Sequence, residues 1–383
     1  MCIYLDYNAS TPIDSRVIDS MVNSYKNFYG NADSRTHYFG EHARLEIEDA
    51  RNKISKLLNI KSTEIIFTSG ATEANNLAIL GLRKYGLKNN KKHIITSSIE
   101  HKAILQSMKS LEEFGFEIDF VNPDENGVVS ISKIISLLKP NTLLVSLMHC
   151  NNETGVIQPV KELGDFLQNK DVFFHIDATQ SCGKLVEEIQ NLNYDMMSIS
   201  AHKMYGPQGI GALILKKKRY QYPPIESIMF GGNQEHGFRP GTLPTALIVG
   251  FGKAAEIALQ DYKKINKHNF KIKNEIIKLL DESGIKYCVN GNINQSINNT
   301  INVSFIGVQS EALMISVRQC CSISNGSACN SSSYDLSHVL KSMNLSQERI
   351  ESAVRISWGK EIDMDDFKVE FKRLLNIVKE LTL

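Results

Sequence analysis

Seven short apolar runs between residues 65 and 215 restrict the fold more than anything else in the chain. They are Ile65–Thr68, Ile94–Thr96, Ile118–Val121, Leu143–Met148, Val172–Ile176, Met196–Ser200 and Ala212–Leu215. Each has the length of a strand and is bounded by turn-forming residues. Segments with helical spacing separate most of them. This alternation predicts an α/β layered fold with a largely parallel, seven-stranded central sheet. In such a sheet the carboxyl ends of the strands share one edge, and ligands bind there. Polar clusters follow five of the runs: Ser69-Gly70, Glu100-His101-Lys102, Asn151-Asn152-Glu153-Thr154-Gly155, Asp177-Ala178-Thr179-Gln180 and His202-Lys203. The sequence therefore predicts that these five clusters converge on one pocket.

The flanks differ in character. Residues 1–13 read as an extended arm. Apolar residues at 17, 18, 21, 22 and 25 predict a helix from Ser15 to Phe28, and a charged helix is expected from Glu41 to Leu58. A glycine-rich loop from Gly231 to Gly241 precedes a long helical stretch, Pro244 to Leu280. Beyond it come a strand (Thr300–Phe305), a helix (Ser310–Arg318), a serine-rich stretch (Ser322–Ser333) and a closing helix (Asp365–Leu381). We expect a large domain over 14–259 and a smaller α+β domain built from 1–13 and 260–383; the 383 residues suffice for two units. A net charge of +1 argues against direct nucleic-acid binding, and no apolar run is long enough to span a bilayer. The N-terminus lacks the basic and apolar regions of an export signal. Seven cysteines, an odd number with no C-x-x-C pair, point to reduced thiols in a cytoplasmic protein and give no support to a metal site.

The candidate chemistry starts at Lys203. It sits just past a strand end, beside His202, in a turn shaped by Gly206 and Gly209. A lysine held there is a solvated loop residue, an anion-binding charge, or an amine that forms a Schiff base. The Ser69-Gly70-Ala71-Thr72 turn leads from a strand into a helix, which makes it an anion cradle or a simple cap by Thr72 or Ser69. Asp177 is either a turn former or a carboxylate that keeps a pyridinium nitrogen protonated. His101 is either a loop histidine or a flat ring that stacks on another. Each residue alone has the plainer explanation. Together, a phosphate cradle, a strand-end lysine, a strand-end aspartate and an imidazole are what pyridoxal 5'-phosphate (PLP) requires.

The collinear motifs resemble those of cysteine desulfurases of the NifS/IscS type. They are Thr68-Ser69-Gly70-Ala71-Thr72-Glu73, Glu100-His101-Lys102-Ala103, Asn151 to Gly155, His175 to Ser181, Ser200 to Pro207 and Arg239-Pro240-Gly241-Thr242-Leu243-Pro244. The resemblance runs from Tyr4 to Arg355. It implies a fold-type I, PLP-dependent homodimer that turns L-cysteine into L-alanine and hands the sulfur to an acceptor protein for iron–sulfur cluster assembly or thiolation. It also implies roles. Lys203 is the Schiff-base lysine, Asp177 the partner of the ring nitrogen, Gln180 the partner of the ring hydroxyl, and His101 the stacking and proton-donating residue. Ala71, Thr72, Ser200 and His202 belong to the cofactor site. Thr242 reaches the phosphate of the other subunit, and Asn152 with Arg355 holds the substrate carboxylate. Cys329, in Ser324-Asn325-Gly326-Ser327-Ala328-Cys329-Asn330-Ser331, is the persulfide-forming thiol. Asn325 and Asn330 depart from the family pattern. Cys320 and Cys321 match no motif and are expected to be structural.

Overall fold

A computed structural model describes residues 2–326 and 336–382. The expected sheet is present. Its seven strands lie in the order Ile65–Thr68, Gly211–Leu215, Met196–Ser200, Phe173–Asp177, Thr142–Met148, His93–Ser97 and Glu117–Val121. All are parallel to one another except Gly211–Leu215, which runs antiparallel to both of its neighbours. The parallel strands therefore deliver all five polar clusters to one edge. Five of the seven strands are buried at every residue, because helices cover both faces; the outermost, Glu117–Val121, is largely exposed.

Two apolar cores flank this sheet. One includes Phe67, Val145, Ile176, Ile199 and Ile248, and the other Ile66, Leu77, Ile94, Leu144 and Leu213. Neighbouring residues of one strand, Ile66 and Phe67, thus enter opposite cores, as the two-residue repeat of a strand requires. A third core holds Leu5, Ile276, Val303, Ile356, Trp358 and Phe371. It is built on a three-stranded antiparallel sheet of Tyr287–Val289, Thr300–Phe305 and Ala353–Ser357. The N-terminal arm joins it, with Ile3 pairing with Cys321 and Asp6 with Ser357.

One helix, Thr245–Ser283, serves the first and third cores. It places Ile248, Phe251 and Ala255 in one and Ile272, Ile276 and Leu280 in the other. It follows Pro244 and ends at Gly284, whose φ of +70° suits glycine. The helix expected from Glu41 begins earlier, at Tyr38, because the imidazole of His37 accepts the Gly40 amide and caps it. No helix among the described residues is long and apolar enough to cross a membrane.

The glycine-rich loop is anchored by a buried ion pair. Glu235 receives Arg51 at both carboxylate oxygens, at 2.7 and 3.0 Å, and also the amide of Phe67 at 2.7 Å. The Arg51 guanidinium lies 4.5 Å from the Phe67 ring centroid. Glu235 and His236 both adopt positive φ, at +48° and +57°, a conformation that persists only where surrounding contacts impose it. Glu235→Ala is expected to lower stability by up to about 3–5 kcal/mol, since it leaves the buried Arg51 guanidinium with the exposed Glu48 carboxylate and the Ile65 carbonyl in place of its buried counter-ion. Glu235→Gln, which keeps an acceptor, should lose less. Urea unfolding followed by circular dichroism reads the difference, and an unchanged midpoint in Glu235→Ala would show that the pair contributes no net stability.

Candidate functional site

A cavity of about 600 Å³ opens at the strand-end edge. Its floor is set by the strand Phe173–Asp177. Asp177 is buried and accepts two hydrogen bonds, from Asn75 Nδ2 at 2.8 Å and from the Thr179 amide at 2.9 Å. Beneath it, His175 bridges Ser146 and Ser198 at 2.9 Å on each ring nitrogen. Burial lowers the His175 pKa to about 4, so at pH 7 it is a neutral spacer between three strands. Glu100, fully buried against Ser97 and the Met148 amide, is pushed up to about 8 by burial and, to a lesser extent, by the charge of Asp177.

The cradle forms where Ile65–Thr68 turns into the helix Ala71–Leu80. Gly70, at φ +156° and ψ −179°, makes a turn that a residue with a Cβ rarely adopts. A Cβ at neighbouring Gly211 would fall 2.8 Å from the Gly70 Cα, so glycine is needed on both sides of this approach. Neither Ser69 nor Thr72 caps the helix through its side chain; the N-cap is Gly70, with no side-chain cap bond. The capping alternative for these two residues is thereby overturned. Glu73 accepts the Ser69 amide and pairs with Arg239 at 2.8 Å. Ala71 and Thr72, whose amides are among those a helix start leaves without an intrahelical partner, line the cavity together with Ser200, His202 and Gln208.

Lys203 ends a single 3-10 turn, Ala201–Lys203, that follows Met196–Ser200. Its Nζ donates to the carbonyls of Asn8 at 2.6 Å and Ala9 at 2.7 Å. The N-terminal arm is stitched to this turn: the Thr11 amide donates to His202 O and the Asp14 amide to Tyr205 O. Gln180 Nε2 also donates to Asn8 O, at 3.0 Å, while its Oε1 receives Lys184 Nζ at 3.2 Å. Desolvation lowers the His202 pKa to about 4, assisted by the Lys203 charge.

His101 caps the helix Lys102–Glu112, its Nδ1 accepting the Ala103 amide at 3.1 Å. Its pKa lies below the usual value, mainly from desolvation. The neutral ring must therefore carry its proton on Nε2. Arg355 is buried on the far wall; its Nη1 donates to Asn152 O at 3.0 Å and its Nη2 to Asp6 at 2.6 Å. Among the described residues its buried Nε has no hydrogen-bond partner, and neither has the Thr179 hydroxyl in the same cavity.

The cavity thus gathers Ala71, Thr72, His101, Asn152, Asp177, Gln180, Ser200, His202, Lys203 and Arg355, all singled out from the sequence. Thr242 is exposed and does not line the cavity of its own chain. Cys329 lies outside the described residues. Cys320 and Cys321 are buried, and burial holds the Cys321 thiol well above its usual pKa. Asp6, Asn8, Asn75 and Lys184 were not singled out from the sequence. The one local signal is that Asn75 stands three residues after Thr72, on the same helix face.

Comparison with known proteins settles the family. Residues 3–368 match the family model described as "Aminotransferase class-V". The cysteine desulfurase IscS of Vibrio vulnificus strain CMCP6 is 41% identical over 387 residues, covering 99% of this chain and 93% of that protein. The chain belongs to the cysteine desulfurases. Among solved structures, a NifS-like protein superposes on this desulfurase with a TM-score of 0.92 and 34% identity over 100% of both chains. A structure of SspA in complex with cysteine gives 0.80 and 36% identity over 93% of this chain and 98% of that one. The family is PLP-dependent and shares the fold-type I architecture seen here. The donors in the cavity fit that cofactor. The uncapped helix start suits a phosphate, and a buried acidic side chain and a lysine amine line the same cavity.

Proposed function

We propose that this chain converts L-cysteine to L-alanine, takes the sulfur on Cys329 as a persulfide, and passes it to an acceptor protein for iron–sulfur cluster assembly or thiolation. The observation that carries the reading is the convergence of Lys203, Asp177, the uncapped helix start and Arg355 on one cavity. Bound PLP supplies an electron sink for the carbanion formed at the substrate's α-carbon. When it is bound, Asp177 would keep a proton on the ring nitrogen, Gln180 would bond the ring hydroxyl, and His101 would stack on the ring. Ala71, Thr72, Ser200 and His202 hold the phosphate. Arg355 and Asn152 fix the substrate carboxylate, for which the planar guanidinium fork is suited. Lys203 Nζ removes the α-proton, and His101 Nε2–H returns a proton. The Cys329 thiolate then attacks the substrate sulfur. A sulfur–sulfur bond forms, the carbon–sulfur bond breaks, and its electron pair stays with the fragment released as alanine.

We further infer a homodimer in which Thr242 reaches the partner's phosphate site. Two features support this: Thr242 is exposed and does not line its own cavity, and Tyr25, Tyr29, Tyr38, Phe39 and Phe230 present aromatic surface to solvent. A cytoplasmic setting accords with six cysteines that are free thiols among the described residues.

The test is to incubate the PLP-loaded protein with L-cysteine and measure alanine and, with a reductant present, sulfide. Cys329→Ala is expected to lower turnover by at least about a hundredfold, because it removes the nucleophile. Normal turnover by this variant would instead indicate selenocysteine lyase-like chemistry, which does not need the thiol.

A further inference from the structure

We propose that Asp6 is a positioning residue: its carboxylate holds the guanidinium of Arg355 in the orientation that receives the substrate's α-carboxylate. This rests on the reading of Arg355 given above. The two residues are 349 apart in sequence and are brought together by strand pairing. The arm lies alongside Ala353–Ser357, with Asp6 bridged in parallel to Ser357. The Ser357 amide donates to Leu5 O at 2.9 Å, and the Ser357 hydroxyl accepts the Asn8 amide at 2.9 Å. Arg355 stands two residues before Ser357 and so on the same strand face. This register sets the Asp6 carboxylate against Arg355 Nη2, at 2.6 Å.

A guanidinium has five N–H donors in a rigid plane. Here Nη2 is fixed by Asp6 and Nη1 by Asn152 O, so the plane is held at two corners. Among the described residues the buried Nε has no partner, and the residue lines the cavity. An arginine held in this way has fixed its aim before the ligand arrives, which is what a bidentate carboxylate contact needs. Without Asp6, the Asn152 carbonyl would be the one partner left among the described residues, and the fork could turn about that bond. Asp6 also has an opposing effect, since its charge repels an incoming carboxylate. Orientation and repulsion predict opposite outcomes when Asp6 is truncated.

The experiment compares PLP-loaded wild type, Asp6→Ala, Asp6→Asn and Arg355→Ala. It measures KM and kcat for alanine formation from L-cysteine, and the dissociation constant of L-alanine by absorption titration. Asp6→Ala is expected to raise KM and the L-alanine dissociation constant about tenfold, the lower range for loss of a residue that orients a ligand contact. The change in kcat should be smaller. Asp6→Asn, which keeps an acceptor oxygen, should recover most of the loss. Wild-type constants in Asp6→Ala, with Arg355→Ala impaired, overturn the role of Asp6 and leave Arg355 standing. Unchanged binding in Arg355→Ala overturns both. Tighter binding in both Asp6 variants shows that repulsion dominates, and positioning is then wrong. If Asp6→Ala does not fold, Asp6→Glu takes its place, because the extra methylene displaces the carboxylate and should also raise KM.

Discussion

Lys203→Ala is expected to reduce alanine formation from L-cysteine by about a thousandfold or more, within the range that loss of a positioned base produces. The reason lies in how the amine is held. Two carbonyls, of Asn8 and Ala9, lie 2.6 and 2.7 Å from Nζ, and both belong to a segment bonded to the lysine's own turn. The amine is thus kept at the cavity wall before any ligand binds. Movement of Nζ into the cavity gives up both bonds. The variant should still bind PLP, since the uncapped helix start and Asp177 are untouched, and absorption of the dialysed protein reports this. Lys203→Arg should fail as well, because a guanidinium does not release its proton near neutral pH. Turnover of Lys203→Ala within a few-fold of wild type would remove the base assignment.

The sheet was legible because buried parallel strands leave runs that amphipathic helices do not. Residues 196–200 read as a strand from length and flanks alone, and all five of its residues are buried. Strand direction was less legible. Ala212–Leu215 was expected within a largely parallel set and runs antiparallel. An apolar run carries no sign of direction; only the short connection from Ser200 to Gly211 hinted at a reversal, being too brief for a crossover helix. Helix starts were legible where Asp or Ser caps them and not at Tyr38, where an imidazole does so.

The site divides in the same way. Residues that follow strands were found, because topology alone sends them to one edge. Of those that arrive by long-range pairing, Arg355 came only with the family resemblance, and Asp6 and Asn8 not at all. Asn8 shows why. Its carbonyl meets Lys203 and Gln180, while its side chain bonds Asn152 O and Thr300, so it is defined wholly by partners distant in sequence. The alternatives weighed for single residues also proved compatible. Asp177 is a turn former toward Thr179 and a buried carboxylate toward Asn75. His101 is both a helix cap and a cavity wall. A local role and a chemical role use different atoms of one side chain, so evidence for the first never counted against the second.

That division of labour makes Asp177→Asn the second large-effect test. The amide keeps nearly the same shape, and an oxygen can still accept the Thr179 amide, so the turn should survive. The charge disappears, and the atom that meets Asn75 becomes an amine facing another amine unless one of the two amides turns over. Asn75 has that option, since its buried Oδ1 has no hydrogen-bond partner among the described residues. Rotation of Asn75 would bring this oxygen to the new donor, which limits the cost to stability. Catalysis has no comparable remedy. The neighbouring carboxyl, Glu100, is fully buried and does not line the cavity, so it is not placed to replace the lost negative charge. Without a carboxylate the proton on the cofactor's ring nitrogen loses its stabilising partner, and the electron sink weakens. Alanine formation is expected to fall on the order of a thousandfold, as when a buried electrostatic partner of a transition state is removed. Unfolding by urea should change little, and the absorption of the bound cofactor should shift. If Asp177→Asn retained turnover within about threefold of wild type, less than 1 kcal/mol in the barrier, the assignment to the ring nitrogen would be wrong.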